Sequence, residues 1–284
     1  MPARTAFGAI DCIATIFVLL LLTGVGLPLL AQSRESARST ATKDNLRRIG
    51  AATLVYAQAR RQLPFGTFHD KESPNGTCDP RYHMFHSGWT EILPHLDHAD
   101  LFNRYARDLS YRDETDPDGD GWSNRRITEQ RPPVYVDPAM PVPEFPPHSG
   151  WSSYAWSGGN NSYDNGGNLT GGSGGTHDGA IVNAKQGPVR LTDLSDGQSL
   201  TFLAGEAHYT LKGMKHSNNA PELAGKPNTG QTAWGAGHYP RSHLSTNTPV
   251  NTHVSAHSNP NLADWYRQGA FGFRSSHPGG CHFV

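Results

Sequence analysis

The feature that most constrains this chain is an apolar run of membrane length that passes without a break into a charged, amphipathic segment. Cys12 to Ala31 is nearly uncharged, and as α-helix it would rise about 30 Å, the thickness of a bilayer hydrocarbon core. Charges return from Gln32 to about Arg61. There Leu46, Ile49, Thr53 and Tyr56 recur at spacings of 3, 4 and 3, one face of a helix. Arg38, Asp44, Arg47, Arg48 and Arg60 mostly fall on the other faces, and Pro64 and Gly66 end the segment. An unbroken helix from about Ala9 to Arg61 would be roughly 80 Å long. One half would sit in lipid and the other would pack on a soluble domain, a build that serves anchoring or assembly.

A cleavable secretory signal is the main competitor. Its apolar core would be shorter, about 7–15 residues, and would end at a small-x-small site. Here the run is longer and leads directly into helix-forming residues, so a retained anchor is expected. Asp11 interrupts the apolar pattern at its start, and a carboxylate at the membrane edge calls for a partner or for headgroup hydration. Pro28 removes one helix hydrogen bond and predicts a kink. Gly24 and Gly26 weaken the helix nearby or permit close helix packing. Arg34, Arg38, Lys43, Arg47 and Arg48 follow the span while Arg4 precedes it. By the positive-inside rule this pattern would place the C-terminal side in the cytoplasm.

The rest of the chain, 63–284, is long enough for one large or two small domains. The net charge is −1, which gives no bulk electrostatic basis for nucleic-acid binding. Only 17% of residues are charged, while there are 31 glycines and 21 prolines, a composition that favours a turn-rich β or α+β domain over a helical bundle. Of the 3 cysteines, Cys12 lies in the apolar run; Cys78 and Cys281 are either an exported-domain disulfide or two free thiols.

Several blocks resemble the pilin-like (pseudopilin-like) family whose members carry a large C-terminal domain of unknown function ending in a His-x9-Asp-Gly motif. The stretch Ala6-Phe7-Gly8-Ala9-Ile10-Asp11 is similar to the prepilin signal Gly-Phe-Thr-Leu-Ile-Glu. The resemblance makes Phe7 the first mature residue, puts Asp11 in place of the family glutamate and sets Pro28 where pilins commonly carry proline. Ala6 stands where prepilin peptidase normally requires glycine. Asp44 to Gly50, Arg61 to Gly66, and Gly88-Trp89 through Leu96 to Phe102 are similar to further family blocks. So are Leu191 to Ser199, which holds Asp196-Gly197, and Leu203 to Glu206. Phe271 to Gly280 resembles the run that opens the C-terminal signature at His277. Counting nine residues beyond His277 passes Val284, so only the opening of that signature is present, and a neighbouring strand is expected to be left partly unpaired.

The resemblance implies an α+β fold, a long helix packed on an antiparallel sheet. It also implies a head outside the cytoplasm, the orientation we expect despite the basic residues after the span. Prepilin peptidase, a secretion or pilus assembly machine, and sister helices in the inner membrane would be the partners.

Other chemistry is local. Asp116-Pro117-Asp118-Gly119-Asp120-Gly121-Trp122-Ser123-Asn124 places carboxylates at positions 1, 3 and 5, glycine at 6 and asparagine at 9, the first part of a calcium loop. Position 12 is Ile127, so the usual glutamate is missing, and a solvated acidic turn is the competing account. His238, His243, His253 and His257 cluster in sequence without the spacing of a zinc hydrolase. His277 precedes Pro-Gly-Gly and is expected to make a structural hydrogen bond. There is no phosphate-binding loop; Gly171 to Gly175 lacks the following Lys-Ser/Thr and a helix, and reads as a flexible segment. Trp89, Trp151, Trp156 and Trp234, with Tyr82, Tyr154, Tyr163 and Tyr209, are expected in a core, with carbohydrate stacking as the alternative.

Two regions are therefore expected. Residues 1–62 form the signal, span and amphipathic helix; residues 63–284 form an exported head. Strands are expected near Val134–Val136, Ser153–Trp156, Ala180–Val182, Val189–Leu191, Leu200–Ala204 and Phe271–Phe273. Helices are expected near Gly88–Leu96 and Ala99–Tyr105, with loops over 106–131, 157–178 and 213–268. The leading function is a non-enzymatic, membrane-anchored pilin-like subunit. A tethered module for calcium and polysaccharide is the alternative, and an exported metal-dependent hydrolase is a minor third.

Overall fold

The computed structural model describes residues 8–68, 86–144, 150–159, 178–208, 224–226, 232–237, 242–246, 249–251 and 272–284. Ala6, Phe7, Cys78, His238, His253 and His257 lie outside them, as do Tyr82, Tyr163 and Tyr209.

Helix α1 runs unbroken over Ala9–Arg60, 52 residues, with Pro28 inside it. Its two halves differ in what they touch. The described large apolar side chains between Ile13 and Leu30 are all more than half exposed. This stretch is long and apolar enough to cross a membrane. From Thr42 onward the expected face is buried: Thr42, Leu46, Ile49, Thr53 and Tyr56 point into the head, joined by Ala52 and Ala57. Arg61 turns left-handed, with φ 58°, and the chain leaves the helix before Pro64.

Two short helices follow, α2 at Gly88–Glu91 and α3 at Ala99–Arg104. A 3-10 turn at Leu93–Leu96 separates them, because Pro94 cannot donate the hydrogen bond that would continue α2. Helix α4, Asn124–Thr128, lies where a loop was expected; Ser123 caps it by accepting the Arg126 amide at 3.3 Å.

The sheet has three strands in the order β2-β1-β3: β1 is Tyr154–Ser157, β2 is Ala204–Glu206 and β3 is His243–Leu244. It is mixed, not antiparallel as expected. β1 is antiparallel to β2, with Tyr154 opposite Glu206, and parallel to β3, with Trp156 opposite His243. The chain between Ser157 and His243 is long enough for a parallel return.

Other expected strands fail for local reasons. Pro132 and Pro133 fix helical-type φ, so Pro133–Tyr135 is a 3-10 turn. Leu191–Asp193 is another such turn, in which Asp193 accepts the Arg190 amide at 2.8 Å. Ala180–Val182 is bent, and the ladder contact there is a single bridge from Asn183 to Thr67. Gly197, with φ 85°, turns the chain into a 3-10 turn at Gln198–Leu200, which delays β2 until Ala204. Gly272 and Arg274 make isolated bridges to Ser245 and Ala207, and Phe271 lies outside the described residues. The last residues do not leave β2 open: Val284 exchanges backbone hydrogen bonds with Ala204, and Phe283 bridges Gly205.

Aromatic packing ties these pieces to α1. Trp89 stacks on Trp156 at 3.9 Å between ring centres and meets Tyr135 edge-on at 5.3 Å. The Tyr135 hydroxyl donates to the Trp89 carbonyl at 2.7 Å, and the Trp234 indole donates to the Gln130 carbonyl at 3.0 Å. Trp151 and Tyr154 are also buried, so these described rings lie in the core.

Candidate functional site

A cluster of imidazoles and carboxylates lies where α1, β2 and the C-terminal segment meet. β2 contributes Glu206, and His208 follows two residues later, on the same side of the extended chain. The turn after the 3-10 segment Pro133–Tyr135 contributes Asp137. The C-terminal segment brings His277 and His282. Helix α1 contributes Glu35, Ser39 and Thr42, whose spacings of 4 and 3 put them on one face.

Glu206 and Asp137 are fully buried. Among the described residues, the basic groups within 4 Å of either carboxylate are the three imidazoles. His208 Nε2 lies 3.0 Å from Asp137 Oδ2 and 3.4 Å from Glu206 Oε1. His277 Nε2 lies 3.5 Å from Asp137 Oδ2 and 3.4 Å from Glu206 Oε1. His282 Nδ1 is 3.3 Å from Glu206 Oε2. Two sets of three, Glu206/His277/His282 and Asp137/Glu206/His208, each bring their ligand atoms within 4.8 Å of one another.

The outer contacts fix which atoms face inward. His277 Nδ1 sits 2.6 Å from Glu35 Oε1, and its Nε2 faces the cluster, 3.1 Å from Thr42 Oγ1. His282 Nε2 lies 3.3 Å from Ser39 Oγ, which leaves Nδ1 facing Glu206. His208 is arranged the other way, since its Nδ1 accepts the Ser276 amide at 2.8 Å. Two effects compete there. Burial opposes charge on the ring, while the carboxylates of Asp137 and Glu206 favour it and push its pKa upward. A charged ring would need a proton on Nδ1, where Ser276 already donates. That amide selects the neutral ring with its proton on Nε2, toward Asp137.

Asp137 is held as a carboxylate. Burial alone would raise its pKa, but His208, the Thr42 hydroxyl at 2.6 Å and the Ala139 amide at 2.6 Å hold it well below the usual range. Glu206 is less satisfied. Its Oε2 accepts the His282 amide at 2.7 Å, whereas its Oε1 has no aligned donor. His208 Nε2 and His282 Nδ1 are also buried without an aligned hydrogen bond.

The residues singled out from sequence are scattered across this picture. Glu206 and His277 meet in the cluster, and His277 makes the expected hydrogen bond, to Glu35. Asp196 is exposed in a turn, and Gly197 supplies that turn's positive φ; neither reaches the cluster. Asp11 lies in the first turn of α1 and Pro28 in its exposed half. Asp116, Asp118 and Asp120 bring their carboxylates within 4.8 Å on the surface. Asp116 accepts the Gly119 and Gly121 amides at 2.9 and 2.7 Å. Asn124 is turned away: it is buried, and its carboxamide bonds the backbone of Ala106, Leu109 and Ser110.

Sequence reasoning missed Glu35, Asp137, His208 and His282. The pair Glu206-x-His208, just past the strand expected near Leu200–Ala204, was the one local signal, because alternate residues of an extended chain share a face.

His282 also lines an apolar groove of about 920 Å³ that runs beside α1 past Leu46, Leu54, Phe202 and Val284. Residues 31–284 match a family described as protein of unknown function (DUF1559). No curated protein and no solved structure matches the chain.

Proposed function

We propose that this chain, which belongs to the DUF1559 family, is a non-enzymatic pilin-like subunit of a type II secretion or type IV pilus-like system. The observation that carries this reading is the division of labour along α1. One uninterrupted 52-residue helix exposes an apolar half and buries one face of its other half in the head. An exposed apolar surface of that size needs lipid or sister helices to cover it. The family match covers the head and the packed half of the helix, and it is compatible with a membrane-anchored, pilin-like protein.

In this reading the head lies on the outer side of the inner membrane, and prepilin peptidase removes the leader before Phe7. The new amino terminus then pairs with Asp11 of a neighbouring subunit. Mass spectrometry of the N-terminus from native membranes, with cross-linking of the helices, tests it. The expected result is a mature start at Phe7 and cross-linked oligomers.

The second reading is a monomeric tether with a calcium- and polysaccharide-binding head. Ala6 at the cleavage position favours it, as does the convergence of the Asp116, Asp118 and Asp120 carboxylates. An intact leader with no oligomer would replace the first reading by this one.

A further inference from the structure

We propose that Glu206, His277 and His282 bind a divalent transition-metal ion, with zinc the best match to the ligand set, and that this ion clamps α1 to the head.

Three observations carry the site. First, the outer contacts match those of metal-bound histidines, whose second nitrogen is normally held by a carboxylate or other polar group. Glu35 holds His277 Nδ1 at 2.6 Å and Ser39 lies 3.3 Å from His282 Nε2, so the other ring nitrogens face Glu206, with Thr42 Oγ1 also 3.1 Å from His277 Nε2. Second, the inner spacings fit. Ligands about 2.0–2.1 Å from a tetrahedral zinc lie about 3.3–3.4 Å apart. Here His277 Nε2 lies 3.4 Å from Glu206 Oε1 and His282 Nδ1 lies 3.3 Å from the other oxygen, Oε2, so the carboxylate would meet the ion with both oxygens. Third, Glu206 Oε1 and His282 Nδ1 are buried without an aligned hydrogen bond, a costly arrangement that a cation between them relieves.

The neighbouring set, Asp137 with Glu206 and His208, fits less well. A metal on His208 Nε2 would require a proton on Nδ1, which instead accepts the Ser276 amide. Asp137 and His208 therefore form the outer layer, with Thr42 on Asp137. Charge agrees: the buried carboxylates Asp137 and Glu206 together balance one divalent cation.

The ligands come from β2 and the C-terminal segment, and both imidazoles are oriented by α1. Metal loading thus couples the packed half of the anchor helix to the far end of the chain. This holds whether the protein assembles or stands alone as a tether.

The test uses the full chain in detergent. The protein is stripped with a chelator, incubated with zinc chloride and desalted, and its metal content and Tm are measured. The expected result is about one zinc per chain, as for a mononuclear site, with a higher Tm than the stripped protein. Glu206→Gln and His282→Asn should abolish retention. Glu35→Gln should fold and bind zinc about 10–100-fold more weakly. Asp118→Asn should retain zinc like the wild type. Cobalt substitution should give the visible bands of a tetrahedral nitrogen–oxygen site. If Glu206→Gln does not fold, Glu35→Gln and His282→Asn, whose side chains are partly exposed, carry the test. A folded wild-type chain that retains no zinc and melts alike with and without it overturns the proposal. So does unchanged affinity in both Glu35→Gln and His282→Asn.

Discussion

The Asp116–Asp118–Asp120 loop and the Glu206–His277–His282 cluster each gather three ligand-bearing side chains within 4.8 Å, in opposite surroundings. In the loop the carboxylates are exposed and their oxygens accept amides of their own turn, from Gly119, Gly121 and Trp122. Water supplies whatever else they need, so the turn is complete by itself. In the cluster Glu206 has no access to water, and several facing atoms lack aligned partners. Burial therefore decides how much each group matters. An unsatisfied charge costs little at the surface and several kcal/mol inside. Substitutions should separate the two regions by that rule.

The largest effect should come from Asp137→Ala. The change leaves His208 Nε2 and the Thr42 hydroxyl without their shared acceptor in a closed site. Leaving such buried groups unpaired costs about 1–3 kcal/mol each, read as a lower denaturation midpoint of the detergent-solubilised chain. A loss under about 1 kcal/mol would mean that water reaches this cluster as freely as it reaches the loop.

Asn124→Ala should come next, and it moves the comparison inside the loop region itself. Its carboxamide holds three carbonyls and one amide of the preceding segment. Leaving several buried groups unpaired costs about 1–3 kcal/mol each in isolation, less where water enters. A loss of about 2–3 kcal/mol is expected, unaffected by calcium. Thr42→Val keeps the volume and removes one donor to Asp137, for an expected loss of about 1–2 kcal/mol. Combined with Asp137→Ala it should add less than its own cost, because the two groups share one hydrogen bond.

How much of this was readable in the chain follows from the range over which each interaction acts. Helix α1 was legible almost to the residue, because Leu46, Ile49, Thr53 and Tyr56 repeat with the helical period and Pro64 stops them. Strand β1 was legible from its apolar run. Pro133–Tyr135 was misread because apolar content suggested a strand while the two prolines set the backbone. The parallel pairing of β3 with β1 depends on a distant return that no local pattern encodes. The same holds for the cluster, whose members run from Glu35 to His282. Family resemblance marked Glu206 and His277 separately, but nothing along the sequence says that they lie 3.4 Å apart. The loop shows the converse. Its spacing matched a calcium motif, yet Asn124 was needed by the backbone and turned inward.

The smallest effect, and the sharpest test of the comparison, is expected from Asp118→Asn. Its Oδ1 accepts the Asp120 amide at a long 3.4 Å, and an asparagine oxygen can do the same. The substitution also removes one of three like charges that crowd the same turn. With calcium absent, these changes are small and partly opposed, so Tm should stay within about 2 °C of the wild type. A millimolar calcium titration of both proteins then divides the readings. Parallel curves with no shift keep the loop as a solvated turn and leave the buried cluster as the cation site. A rise in Tm for the wild type that Asp118→Asn lacks would make the exposed loop a second, independent site, because ligand binding to the folded state stabilises by mass action. Burial would then set the strength of a site in this protein, while the chemistry of its oxygens or imidazoles would set which ion it takes.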